Sequence, residues 1–234
     1  MDGMHTLIAV SNLGSLLQAQ GKLSLAEPYY RRNLEGCERT LGRDHPSTLG
    51  SVNNMGMLLK AQGKFTVAEP FLRRALEGCE RTRGRDHPDT LLAVNNMGGL
   101  LQDQGNFDRA EPFYHRNLEA CERVLGPDHP DTLRAVGNVG ACLLVKNKHL
   151  DDAEPFLRRH LEGCERVHGR DHPNTLNAVG NMGGLLYAKG KLREAEPFFR
   201  RDLEGRERTL GPDHPYTRDS AAALNRVLEK MKRK

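Results

Sequence analysis

Apolar and small residues in this chain recur at helical spacing, as in Val52, Met55, Gly56, Leu58 and Leu59, which fall at i, i+3, i+4, i+6 and i+7. That stripe predicts a first helix, stopped by Gln62-Gly63-Lys64 with Gly63 as the natural C′ residue. The next residues, Thr66 to Glu69, read as a Thr-x-x-Glu capping box that opens a second helix. The box returns as Ser24…Glu27, Asp108…Glu111 and Asp151…Glu154, whereas Arg193 before Glu196 offers no cap. The second helix runs through Phe71, Leu72, Leu76 and Cys79 towards Arg81. Pro70, early within it, costs at most one backbone bond. Arg83–His87 then returns the chain to a new first helix. There Pro46 and its equivalents suit the first helical position, with Asp44 or His45 as the cap. Asp89 and Asp131 add negative charge to the first turns of their helices.

The same pattern repeats along the whole chain. Asp-His-Pro occurs at Asp44, Asp86, Asp128, Asp171 and Asp213, at spacings of 42, 42, 43 and 42 residues. A fixed period of that size is the signature of stacked helical units, and it points to binding rather than chemistry. Gly56 and Ala68 are small where the two helices of a unit should cross. Gly78 recurs as Gly36, Gly163 and Gly205, with Ala120 in the third copy, which predicts a steric reason for a residue that weakens a helix by about 1 kcal/mol.

Composition narrows the core and the compartment. With 37% hydrophobic residues, 5% aromatic and no tryptophan, the core must rest on Leu, Val, Ala and Met. The net charge of +4 is too small to demand nucleic acid or a membrane surface, and the Lys230–Lys234 tail carrying part of it reads as a solvated end. No apolar run reaches the roughly 18 residues of a membrane span, and Met1–His5 does not begin a secretory signal. The expectation is a soluble cytoplasmic protein. Cys37, Cys79, Cys121 and Cys164 occupy one position in successive repeats, with Arg206 in the fifth, while Cys142 stands elsewhere. A repeat apart, they are too distant to bridge, so all five are expected reduced.

Gly14, Ala26 and Tyr30, and likewise Gly98, Ala110 and Tyr114, carry the pattern by which this unit resembles the tetratricopeptide repeat. The 42-residue form, with Asn-x-Gly in the first helix, Ala-Glu-Pro in the second and Gly-x-Asp-His-Pro between units, is similar to kinesin light chain repeats over residues 6–216. The resemblance implies an all-α, right-handed superhelical solenoid of helix-turn-helix repeats, a single array over 1–234. Its repeats would span about 6–47, 48–89, 90–131, 132–174 and 175–216, closed by a capping helix 217–232. That helix would put Ala221-Ala222-Ala223-Leu224 on the core and Arg226, Glu229 and Lys230 in solvent. Where the family carries Ala on the second helix, this chain has Asn33, Ala75, Asn117, His160 and Asp202, so packing there is expected to be looser or wetter. No heptad coiled coil is present, and the first repeat lacks its Asp-His-Pro. A start inside a longer parent is therefore expected.

The resemblance also implies a concave groove bearing Asn12, Asn54, Asn96, Asn138 and Asn181, one per repeat. An amide offers both donor and acceptor, so it can hold the main chain of an extended peptide. Asn53, Asn95, Asn177 and Arg134 join this candidate peptide-binding set, with Arg134 as the expected cation and Met57 and Leu92 as soft apolar spots. Ile8, Gly50 and Leu92 do not match the lysine of the family's carboxylate clamp. The expected function is a protein-interaction adaptor with a protein or peptide partner. The alternative is a structural or regulatory array whose groove is filled by its own chain or a second copy, the Asn row merely bracing the stack. The pairs Arg31-Arg32, Arg73-Arg74, Arg158-Arg159 and Arg200-Arg201 read as ion pairs with Glu35, Glu77, Glu162 and Glu204 rather than a nucleic-acid stripe. Among ten histidines, His149, His160 and His168 with Cys142 and Cys164 form no closed metal-ligand set. No catalytic constellation appears, and no cofactor or metal is expected.

Overall fold

The computed structural model describes residues 4–146 and 150–233. The described residues form eleven helices: α1 (Met4–Ala19), α2 (Leu23–Leu41), α3 (Pro46–Ala61), α4 (Phe65–Arg83), α5 (Pro88–Asp103), α6 (Phe107–Leu125), α7 (Pro130–Lys146), α8 (Leu150–His168), α9 (Pro173–Ala188), α10 (Leu192–Leu210) and α11 (Pro215–Lys232). No strand occurs among them. The chain divides into two compact units, one ending at Asn117 and the other beginning at Leu118. Within each, a first helix packs on the second helix of its own repeat, which packs in turn on the first helix of the next.

Each Asp-His-Pro starts a helix at its proline, and the histidine is the cap. The backbone N–H two residues on donates to Nδ1 of His45, His87, His129, His172 and His214 at 3.1–3.3 Å. The aspartate does other work, reaching the second helix one repeat later. Asp44 accepts from Arg81 at 2.7 Å and Asp171 from Arg208 at 2.8 Å, and Asp128 accepts from Arg166.

The capping boxes expected at Thr66…Glu69 and its equivalents do not form. Helix α3 ends in a Schellman motif: Gly63, at φ +73°, donates to Lys60 O, and Lys64 N donates to Leu59 O, both at 2.9 Å. The same backbone turn leads directly into α4 at Phe65, with Lys64 at the N-cap and no side-chain cap. Thr66, Ser24, Asp108 and Asp151 therefore lie inside their helices. Pro70 is likewise deeper than expected, the sixth residue of α4. The glutamates of these boxes cross to the following repeat. Glu27 accepts from Gln62 at 3.0 Å and Lys64 at 3.3 Å, Glu69 from Gln104 and Arg109, and Glu154 from Lys189. The Gln62 bond, aided by Lys64 and Arg31 against some desolvation, holds the Glu27 carboxyl below its ordinary range.

The arginine pairs are ion-paired as expected, but with other partners. The first of each pair binds four residues back, Arg31 to Glu27, Arg73 to Glu69, Arg158 to Glu154 and Arg200 to Glu196. The second crosses to the preceding repeat, Arg74 to Glu38, Arg159 to Glu122 and Arg201 to Glu165, as does Arg116, which follows His115, to Glu80. Half-exposed pairs of this kind stabilise by less than about 1 kcal/mol each, so they set register more than they set stability.

The helices of one repeat touch through glycine. A Cβ on Gly56 would lie 2.7 Å from Leu72 Cδ2, and one on Gly78 would run into the side chain of the fully buried Leu49. Gly36 meets Leu7, Gly163 meets Leu133 and Gly205 meets Leu176 in the same way. That is the steric reason for the recurring glycine.

The position expected to pack loosely is tightly bonded in the first and fifth repeats. Asn33 donates to Leu7 O at 2.8 Å and accepts from Ser51 at 2.5 Å, while Asp202 accepts from Ser220 at 2.5 Å and from Arg206 Nε at 2.7 Å. In the second repeat both equivalents are alanine, Ala75 and Ala93, and both are buried. Helix α11 buries Leu224, as expected, together with Thr217, Ser220 and Val227, while of the expected alanine run Ala223 packs on that core and Ala222 is exposed. The five cysteines are free and buried.

Two alanine substitutions separate steric from intrinsic effects. Gly78→Ala should destabilise by about 1–2 kcal/mol because Leu49 must shift. Gly50→Ala, on a helix with open space at its Cβ, should stabilise by about 0.5–1 kcal/mol. Urea unfolding of both variants reads the opposite signs.

Candidate functional site

In the first unit a cavity of about 320 Å³ opens between α3 and α5, floored by α4. Its walls carry Gly50, Asn53 and Asn54 from α3, Leu92 and Ala93 from α5, and Ala75 from α4. Arg83 and Asp89 at its edge pair with each other at 3.1 Å. Asn54 makes no side-chain hydrogen bond to any described residue. Asn53 accepts from Asn96 Nδ2 at 2.9 Å, and Asn96 is buried, so this rung joins α3 to α5. Asn95 and Asn96 do not line this cavity. Asn12 is exposed on α1.

In the second unit a cavity of about 420 Å³ lies between α7 and α9, floored by α8. Four of the expected residues, Arg134, Asn138, Asn177 and Asn181, are gathered there with Gly137, His160, Cys164, His168 and Arg206. Arg134 is not an uncommitted cation, since it donates to Asp131 on its own helix at 2.7 Å. Asn177 accepts from Arg206 at 2.7 Å. The two cavities occupy the same place in the repeat: Gly50 corresponds to Arg134, Asn53 to Gly137, Ala75 to His160 and Leu92 to Asn177.

Models of the tetratricopeptide repeat match residues 6–47 and 48–89, and 90–161 and 138–204. The chain belongs to the tetratricopeptide repeat family. No curated protein matches it by sequence. Among solved structures, the kinesin light chain nearly identical TPR-like repeats of Podosopora anserina superimpose with a TM-score of 0.74 at 18% identity, covering 87% of this chain and 95% of that one. BtubC from P. vanneervenii gives 0.74 at 22% identity, covering 90% and 83%. The apo form of RapI gives 0.72 at 15%, covering 87% and 71%. These likenesses show the fold, a tetratricopeptide solenoid of kinesin light chain type, which is the architecture of protein-interaction scaffolds.

Within this tetratricopeptide framework, two residues of the second cavity stand out that the Asn row did not flag. His160 is 8% exposed, and its Nδ1 is buried without a hydrogen-bond partner among the described residues. Gly137 makes room for it, because a Cβ there would lie 2.6 Å from that nitrogen. Desolvation, with a smaller contribution from His168, lowers its pKa to about 4. Arg206 replaces the repeated cysteine, a departure visible in the sequence but without a partner to give it meaning. Burial pushes the Cys164 thiol of the same cavity up to about 11, so it stays protonated. Also unflagged were Thr48, Thr90, Thr175 and Thr217, each buried and donating at 2.7–2.8 Å to the carbonyl of the inter-repeat glycine. No group of three His, Cys, Asp or Glu among the described residues is placed to hold a metal ion, and His149 lies outside them. No helix of the described residues is long and apolar enough to cross a membrane.

Two measurements follow. His160 keeps a lowered pKa only when folded, so between about 6.5 and 4 the unfolded chain takes up a proton that the native chain refuses. Stability should fall across that window as pH falls, by up to about 3 kcal/mol from this residue, and His160→Ala should flatten the fall. Separately, a double-mutant cycle of Asn53→Ala and Asn96→Ala should give a coupling of about 0.5–1.5 kcal/mol in denaturant unfolding.

Proposed function

We propose that this protein is a non-catalytic interaction scaffold that binds an extended segment of a partner protein against the asparagine-bearing faces of its first helices. The observation that carries this reading is the pair of cavities at equivalent repeat positions, each edged by an amide without a hydrogen bond among the described residues, Asn54 on the first of the two flanking helices in one unit and Asn181 on the second in the other. An extended peptide has N–H and C=O groups to offer both sides of such an amide, each bond adding about 1 kcal/mol net. The arginine pairs are engaged by carboxylates, which favours a protein partner over a nucleic acid. Five free, buried thiols fit a reducing, cytoplasmic setting. The buried Asn53–Asn96 bond favours a second role at that rung, bracing adjacent repeats, so the asparagines divide between binding and scaffold.

Capture of partners from a lysate, read by mass spectrometry, tests the reading. The Asn54→Ala, Asn181→Ala variant should lose partners that the intact chain retains while its Tm changes by less than about 3 °C, in keeping with half-buried side chains that make no hydrogen bond among the described residues. An unchanged partner set would place the interaction on another surface, and a large fall in Tm would make these asparagines part of the stack.

A further inference from the structure

The second unit's cavity differs from its equivalent in the first by a set of exchanges that share one direction. Asp89, the single carboxylate lining the first cavity, becomes Asn174. Gly50 becomes Arg134, Ala75 becomes His160, and the apolar Leu92 becomes Asn177. Arg206, from the following second helix, completes the wall. The lining thus holds two guanidinium groups and two imidazoles and no carboxylate, where the first cavity is largely apolar with one internal ion pair.

The donors are incompletely used. His160 Nδ1 is buried in the cavity wall without a partner, although the ring is more than nine-tenths buried, and His168 Nε2 in the same wall is also unpartnered among the described residues. Arg206 gives Nε to Asp202 and Nη2 to Asn177, which leaves Nη1 without a hydrogen bond among the described residues. Arg134, which also lines the cavity, is held among the described residues by the half-exposed Asp131 on its own helix. A buried imidazole nitrogen left unpartnered costs stability, and a protein retains such a group where a ligand completes it. Asp131 and Asp202 pair with the two arginines and are not among the residues lining the cavity.

Resting on the groove reading above, we infer that this cavity is an acid-selective subsite, which takes the carboxylate side chain of an aspartate or glutamate in the bound segment. His160 and Arg206 are its principal donors and Arg134 a third. The equivalent cavity of the first unit, with Leu92, Ala93 and Ala75, takes an apolar side chain instead. Charge-assisted bonds from guanidinium and imidazole are the strong class for a carboxylate, and an isosteric amide cannot supply the charge.

The test uses the full chain, labelled at histidine, and two blocked peptides, acetyl-Ala-Ala-Asp-Ala-Ala-amide and its Asn counterpart, followed by NMR. The Asp peptide should shift the His160 ring resonances and bind about tenfold more tightly than the Asn peptide. The His160→Ala, Asp202→Ala, Arg206→Cys variant carries the residues that Ala75 and Cys79 already supply at the same places of the repeat, and it leaves no buried carboxylate without its arginine, so it retains packing compatible with the repeat. It should bind both peptides alike, with circular dichroism confirming its fold. Equal binding of the two peptides to the intact chain would overturn the inference and leave the groove reading standing. No perturbation by either peptide would overturn the inference, and the groove reading would then rest on the Asn54, Asn181 capture experiment alone. Inorganic phosphate shifting His160 as strongly as the Asp peptide at equal concentration would also overturn it, in favour of a site for free anions.

Discussion

Everything in this protein depends on how closely the two helices of a repeat can approach. Gly56 lies against Leu72 and Gly78 against Leu49, and those leucines are fully buried. With Cβ atoms in the way, the leucines would leave their pockets and the helix axes would separate by the width of a methyl group. The cost of glycine in a helix, about 1 kcal/mol each, is offset because the contact fixes one interhelical geometry and repeats it. A core of Leu, Val, Ala and Met without tryptophan works here because the space between the helices is thin and uniform.

Once each repeat is set, polar side chains determine how the next one sits on it. Asp44 reaches Arg81, Glu38 reaches Arg74, and Glu27 reaches Gln62 and Lys64, each a contact made one repeat further along. Singly these contacts are weak. Together they penalise a slip of one helix past another, since a slip would unpair several charges at once. The turns between repeats add a rigid element: a glycine at φ near +89°, a threonine hydroxyl closing onto its carbonyl, and a histidine capping the helix that follows.

The cavities arise from the same repetition and diverge by local exchange. Where Ala75 leaves space, Leu92 and Ala93 make that space apolar. Where His160 fills it, Gly137 gives way, and the wall gains donors. The trade between Asn53 with Ala75 and Gly137 with His160 conserves volume while it inverts the chemistry of the wall. A solenoid can vary one recognition position in this way because each repeat contacts only its neighbours.

The residue pattern alone determined the helices and their pairing, because a 3.6-residue apolar stripe and an Asp-His-Pro start are local signals written five times. It also picked out Gly78 and its equivalents, since a helix-weakening residue at a fixed place implies a close neighbour. Contacts between repeats decided the rest. Thr66 and Glu69 have the spacing of a capping box, yet Gly63 closes the turn by backbone bonds alone and frees Glu69 for the next repeat. Asn53 and Asn96 belong to the same candidate set as Asn54, but only the packing of α3 on α5 turns the first two into a brace. His160 and Arg206 read as isolated departures along the chain. Their common cavity exists only once residues some 46 positions apart fold onto one wall, a distance over which local sequence carries no record of contact.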